Sequence, residues 1–215
     1  MVWDIWVRMG HWLVVLLIGF QVYSGEDMAL RDRHAWAGIA LLVWVVFRIG
    51  WGFWGTRHAR FADFVGSPRR IIESFKKLGR RQHEAVPGHT HAGGAGVIVL
   101  MALIALMAVT GLFASDDLMF DGPLSHFVGS ANSSLITQVH HITSKVLILT
   151  VLGHVLAIFW HQRLMKEPLI QGMIHGRKAG GHERFGTAVL VRGGLWLLLA
   201  TLVVVAGLMR VGQFQ

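Results

Sequence analysis

Five apolar stretches divide this chain, at residues 5–23, 35–54, 92–114, 135–160 and 188–209. A helix needs about 20 mostly apolar residues to cross the ~30 Å hydrocarbon layer, and each stretch is of that order. None of the 12 Asp and Glu residues falls inside them. The third stretch has no charged residue, the second carries only Arg48 and the fourth only Lys145. In lipid each spanning segment must satisfy its own backbone polar groups, so the expected fold is all-α, an integral membrane helix bundle. Charged residues make up 15% of the chain, against roughly 25% in soluble domains. An apolar content of 53% excludes a disordered protein. The absence of cysteine excludes disulfide scaffolds, zinc ribbons, iron–sulfur clusters and c-type haem attachment. The N-terminus has no clean cleavage site behind its apolar run, so the first span is expected to stay in the mature protein.

The net charge of +8 is explained by topology. Arg57, Arg60, Arg69, Arg70, Lys76, Lys77, Arg80 and Arg81 lie between spans two and three. Arg163, Lys166, Arg177, Lys178 and Arg184 lie between spans four and five. The other connections are acidic: Glu26, Asp27 and Asp32 outnumber Arg31 and Arg33, and residues 115–134 carry Asp116, Asp117 and Asp121 with no Lys or Arg. Positive loops stay in the cytoplasm, so the N-terminus is expected inside and the C-terminus outside, in the bacterial inner membrane. No nucleic-acid partner is expected; membrane lipid is. Ser67-Pro68 reads as an N-cap and first helical residue. Ile71, Ile72, Phe75 and Leu78 follow on one face, with Arg70, Lys76, Lys77 and Arg81 around the other, the pattern of a short interfacial helix. Pro168 opens a second such segment, with Ile170, Met173 and Ile174 on its apolar side.

Thirteen histidines in so apolar a chain need an explanation. His11 lies near the inner end of span one and His154 near the inner end of span four; His34 and His140 lie near the outer side. His140 and His154 point within about 40° of each other and sit about 21 Å apart along the axis. His141 diverges from His154 by about 140°. Two imidazoles on one helix face, one near each membrane surface, suit two stacked haems, whose irons accept axial His. Matching by depth pairs His11 with His154 and His34 with His140. A single His in a span is commonly a packed, hydrogen-bonded polar group, but intramembrane ionisable residues are expensive and usually functional. A protein whose histidines bind no haem, an anchor or metal handler, is the contrasting reading.

Arg8 precedes His11 by one turn, and Arg48 shares the face of His34 at the inner depth. Either is a candidate for the inner haem propionates through charge-assisted bonds, or is simply an inside anchor. Lys145 diverges from His140 and is expected to snorkel or meet a neighbouring helix. His89, His91 and His161 are placed at the inner interface, as quinone-headgroup or proton-relay candidates or as ordinary interfacial polar residues. His58, His83, His126, His175 and His182 read as surface residues.

These residues carry a family resemblance. Residues 1–178 resemble the bacterial cytochrome b561 family, which includes di-haem cytochrome b subunits of membrane-bound nickel–iron hydrogenases. The resemblance rests on Arg8-Met9-Gly10-His11-Trp12, His34-Ala35-Trp36-Ala37-Gly38 and Arg48-Ile49-Gly50-Trp51-Gly52. It continues through Ala59-Arg60-Phe61-Ala62-Asp63-Phe64, Pro87-Gly88-His89, His140, His154 and Met173-Ile174-His175-Gly176-Arg177-Lys178. It implies a four-helix core holding two haem b through His11, His34, His140 and His154, with residues 179–215 adding a fifth transmembrane helix. It also implies electron transfer between a periplasmic redox protein (a dehydrogenase, a hydrogenase or a c-type cytochrome) and the quinone pool. Bis-His ligation leaves no open iron position for a substrate, which suits electron transfer. Asp116–Asp121 is a candidate for steering a basic partner. The alternative within the family is a stand-alone superoxide:quinone oxidoreductase, disfavoured by the acidic outer loops. Self-association into an oligomer is compatible with either.

Overall fold

A computed structural model describes residues 1–80, 86–115, 121–178 and 184–210. The long helices are α1 (Ile5–Ser24), α2 (Arg31–Trp54), α5 (His91–Phe113), α6 (Gly129–Leu164) and α8 (Thr187–Arg210). Between them lie α3 (Phe61–Phe64), α4 (Pro68–Gly79) and α7 (Leu169–His175). All five long helices are long and apolar enough to cross a membrane. The protein is an all-α, multi-pass membrane helix bundle.

The expected spans are all present, and most helix ends fall close to the apolar limits. The exception is α6, whose 36 residues extend the expected 135–160 at both ends. At 1.5 Å per residue it is about 54 Å long, well beyond the hydrocarbon layer. Hydropathy does not register its first turns because hydroxyls hold them. Ser133 Oγ donates to the Phe113 carbonyl at 2.6 Å, and Thr137 Oγ1 both accepts from Ser115 N and donates to Ser115 O.

By contact density the chain falls into two compact units. The first comprises Met1–His11, Arg48–Leu100 and Thr150–Trp196. Asp4 organises it. This fully buried carboxylate caps α1 by accepting from Val7 N at 3.0 Å. Its other oxygen accepts from Trp51 Nε1 at 3.0 Å and Thr56 Oγ1 at 2.6 Å, so the cap also fastens the end of α2. A buried carboxylate is tolerable only when its oxygens are hydrogen-bonded, as here. In the same unit α8 receives the tryptophans: Trp6 Nε1 donates to Val189 O at 3.1 Å, and Trp196 lies directly against Gly50.

The second unit comprises Trp12–Phe47, Met101–Leu149 and Leu197–Gln215. Its core sets Ile39 of α2 against Val204 and Leu208 of α8, with Leu42, Val46, Leu112 and Leu124 around them. Apolar side chains remain exposed along the long helices, among them Leu149, Leu156 and Leu195. In a spanning helix these are lipid contacts.

The helix α4 begins at Pro68, after Ser67 in extended conformation, but the Ser67 side chain makes no capping bond. Proline at the first position already removes one of the orphan donors. The apolar stripe is divided: Ile71 and Leu78 are half-buried, while Ile72 and Phe75 are exposed. Ser74 Oγ accepts from Ala92 N, which fastens α4 to the start of α5. Pro168 does precede a short helix, with Gly176 in left-handed conformation closing it.

Candidate haem sites

His34 lies one turn into α2, and His140 lies on α6; both belong to the second unit. They are within electrostatic reach of one another. Each Nδ1 meets a hydroxyl at 2.9 Å, Ser24 Oγ for His34 and Thr110 Oγ1 for His140. Each hydroxyl also points at the carbonyl four residues back in its own helix, Ser24 at Phe20 O and Thr110 at Leu106 O, both at 2.7 Å. A hydroxyl has one proton to donate. With that proton on the helix carbonyl, the hydroxyl oxygen is left to accept, an arrangement that suits the tautomer protonated on Nδ1 in both rings. The lone pair is then on Nε2. Metal-ligating histidines are oriented in this way through their second ring nitrogen. Close to His140, a Cβ at Gly111 would come 3.3 Å from the ring Cε1, so the bare glycine keeps that edge of the imidazole clear.

His11 on α1 and His154 on α6 belong to the first unit and also lie within electrostatic reach of each other. Each expected pair therefore falls within one unit, His34 with His140 in the second and His11 with His154 in the first. Arg48 is buried, 9% exposed, with its guanidinium 5.4 Å from the Phe61 ring centre. Its Nη1 is buried and has no hydrogen-bond partner among the described residues. That orphaned donor fits an anionic group such as a haem propionate. Arg8 is partly committed elsewhere: its Nη2 donates to Ile174 O at 2.5 Å, at the end of α7, while its Nε is buried without a hydrogen bond. Both arginines thus have a structural reason to be where they are, and each has one buried guanidinium nitrogen without a hydrogen bond among the described residues.

The remaining histidines divide differently from the sequence expectation. His58 is not a surface residue. Its side chain is 11% exposed and its Nδ1 lies 2.8 Å from Asp63 Oδ2, because the turns after α2 fold the pair against Gly88. His89 is half-buried between Trp3 and Phe64, with ring centres 4.5 and 5.0 Å away, and its Nδ1 is out of solvent. Burial, reinforced by Arg48, Lys178, His154 and His58, pushes its pKa down to about 3, so it is neutral at physiological pH. Lys178, which reaches Gly88 O at 3.4 Å, is also pulled below its ordinary pKa by burial, against the opposing pull of Glu167. His91 Nδ1 sits 3.2 Å from Phe64 O, a tie between α3 and α5. His161 pairs with Glu167 at 3.8 Å. His126, His141, His175 and Lys145 are exposed. Arg81, His83, Asp116, Asp117 and His182 lie outside the described residues.

Sequence reasoning did not single out Ser24 and Thr110. The available signal was a small hydroxyl residue near the matching end of another span, Ser24 for His34 and Thr110 for His140.

A family model described as prokaryotic cytochrome b561 matches residues 2–176. The chain belongs to that family. No curated protein and no solved structure matches it. Membership in the cytochrome b561 family makes this a b-haem protein of transmembrane electron transfer. The matched region contains every histidine and arginine considered above as a haem contact and ends before α8.

Proposed function

We propose that the chain carries electrons across the bacterial inner membrane through two b-type haems, between a periplasmic redox protein and the quinone pool. His34 and His140 bind the outer-side haem; His11 and His154 bind the inner-side one. Residues 1–178 form the di-haem domain and α8 is an addition to it. The N-terminus lies in the cytoplasm, as the basic loops require. The observation that carries this reading is the matched hydroxyl contact at His34 and His140, which leaves both Nε2 lone pairs available to iron.

Each haem supplies a one-electron iron couple. The protein does the rest. Ser24 and Thr110 hold the outer imidazoles in one tautomer and orientation, so no ring has to turn when charge arrives. The buried Arg48, assisted by Arg8, offers charge-assisted hydrogen bonds to propionates on the inner side. Lipid-facing apolar side chains keep water from the bundle interior.

The test is a reduced-minus-oxidised spectrum of the purified protein with haem counted per chain. Two b-type haems are expected. His34→Ala and His140→Ala should each remove the same haem, and His11→Ala and His154→Ala the other. Retention of both haems in any of these variants refutes the assignment, and a wild-type chain without haem refutes the function.

A further inference from the structure

In the second unit, α2, α5 and α8 leave a groove of about 340 Å³ that shares Val204 and Leu208 with the Ile39 core. Leu42 and Val46 of α2, Leu112 of α5 and Val203 and Gly207 of α8 face into it, and every lining residue is apolar or glycine. Gly207 keeps it open on the α8 side, where a Cβ would meet nothing within 4 Å. The groove needs α8, which lies beyond the family region ending at residue 176.

Lining and size decide what fits. No side chain in the lining offers a hydrogen bond, so a ligand with polar ring substituents would leave them unsatisfied. An apolar cavity of ~150 Å³ takes one benzene ring, and this groove is about twice that. A helix about 10 Å wide and 15 Å long fills on the order of 1,000 Å³, too much for a partner's helix or a second copy of this chain. A single aliphatic chain fits. The depth agrees. Leu42 lies about 16 Å in from the start of α2, and Val203 about 10 Å in from the end of α8. Both of those helix ends face outward in the topology proposed above, so the groove covers the ~15 Å depth of the outer leaflet's tails. Val203, Gly207 and Arg210 follow at i, i+4 and i+7 on α8, which puts Arg210 on the grooved face at its outer end. Residues 188–215 carry Arg192 and Arg210 and no Asp or Glu. Arg192, near the inner end, obeys the positive-inside rule, whereas the exposed Arg210 runs against it. A phosphate at the head of the chain gives that cation a reason.

We propose that this groove is a phospholipid site: it holds one acyl chain of an anionic lipid of the outer leaflet, and Arg210 binds the phosphate. Leu42 and Val46 meet the end of the chain, and Val203, Gly207 and Leu112 its upper part. The lipid fills the seam that α8 leaves against α2 and α5. The site is independent of the haem and electron-transfer assignments and takes from the reading above only the outward placement of the end of α8.

The experiment uses the full-length, haem-loaded protein in detergent and two probes. A phosphatidylglycerol with a diazirine midway along one acyl chain should label residues 203–208 and 42–46 on irradiation. Native mass spectrometry with palmitoyl-oleoyl-phosphatidylglycerol should show one lipid retained per chain, bound about fivefold tighter than the phosphatidylcholine of the same tails, the effect of one basic residue beside anionic headgroups. Gly207→Leu should weaken retention of both lipids roughly tenfold, equivalent to about two methylenes displaced, with haem content unchanged. Arg210→Gln should remove the preference for phosphatidylglycerol and keep the labelling. If Gly207→Leu fails to hold haem, Val203→Trp, which enlarges another lining residue, carries the same expectation. Labelling spread evenly over the lipid-facing helices, unchanged retention in the groove variants, or a headgroup preference that survives Arg210→Gln overturns the site and leaves the haem assignments untouched.

Discussion

At the residue scale, the proposed outer-side haem depends on how Ser24 and Thr110 hold the rings of His34 and His140. Removing the acceptor in Ser24→Ala or Thr110→Val frees the ring to turn and to change tautomer. Loss of such an orienting partner typically costs 10–100-fold in metal affinity. The outer-side haem should therefore bind 10–100-fold more weakly in either variant, read by haem titration, while the inner-side haem stays and Ser24→Thr restores the wild-type value. His89 gives a second residue-scale expectation. Its pKa is about 3 in the fold against 6.5 for an ordinary histidine. The unfolded chain thus takes up the proton first, and stability is full above pH 6.5 and falls as pH drops toward 3. The slope is roughly 1.4 kcal/mol per pH unit inside that window. Thermal unfolding in detergent at pH 5 and pH 7 should show the loss, and His89→Phe, which keeps an aromatic ring between Trp3 and Phe64, should make it measurably smaller. Depth and helical period made the four ligand candidates legible in the sequence. Ser24 and Thr110 were not, because one hydroxyl in a span creates no period. The burial of His58 and His89 was not legible either, because loop residues take their environment from contacts distant in sequence.

At the element scale, the joins between helices are set by a few backbone positions. Gly176 ends α7 at φ +73°, and its carbonyl accepts from Val2 N at 2.7 Å, so one glycine both stops a helix and anchors the N-terminus. A Cβ there would meet Trp3 O at 2.8 Å as well as adopting a strained conformation. Gly176→Ala should cost about 1–3 kcal/mol, seen as a lower unfolding midpoint. Gly19→Ala is the control: it sits inside α1 with nothing within 4 Å of the added carbon, so it should be neutral or slightly stabilising. The length and period of apolar runs located the five long helices, and Pro68 located α4. What hydropathy could not see were the ends held by polar atoms: the Asp4 cap and the hydroxyl-fastened start of α6.

At the scale of the whole molecule, the open question is why a family region ending at residue 176 is followed by another helix. The contacts of α8 answer it separately in each unit. In the first, Trp196 fills the notch at Gly50 and Trp6 lies against Gly193. In the second, Val204 and Leu208 complete the core around Ile39. Gly50 and Ile39 both belong to α2, the helix that also carries His34 and Arg48. Helices in lipid have no hydrophobic drive to associate, so their stability depends on such close packing. Apolar periodicity made α8 legible as a span, but not as a support for α2, because a glycine notch is recognised only once the tryptophan that fills it is known. Residues 1–178 expressed alone retain every proposed ligand, so they should still insert and take up haem. Without α8 the glycine notch and one side of the Ile39 core face lipid tails that match neither shape, and α2 is held less firmly. The truncated chain should release haem at a lower temperature in detergent than the full chain, with the outer-side haem leaving first because His34 lies nearer the loosened core. Equal haem retention in the two chains would reduce α8 to a lipid-facing appendage and locate the support of α2 wholly within the family core.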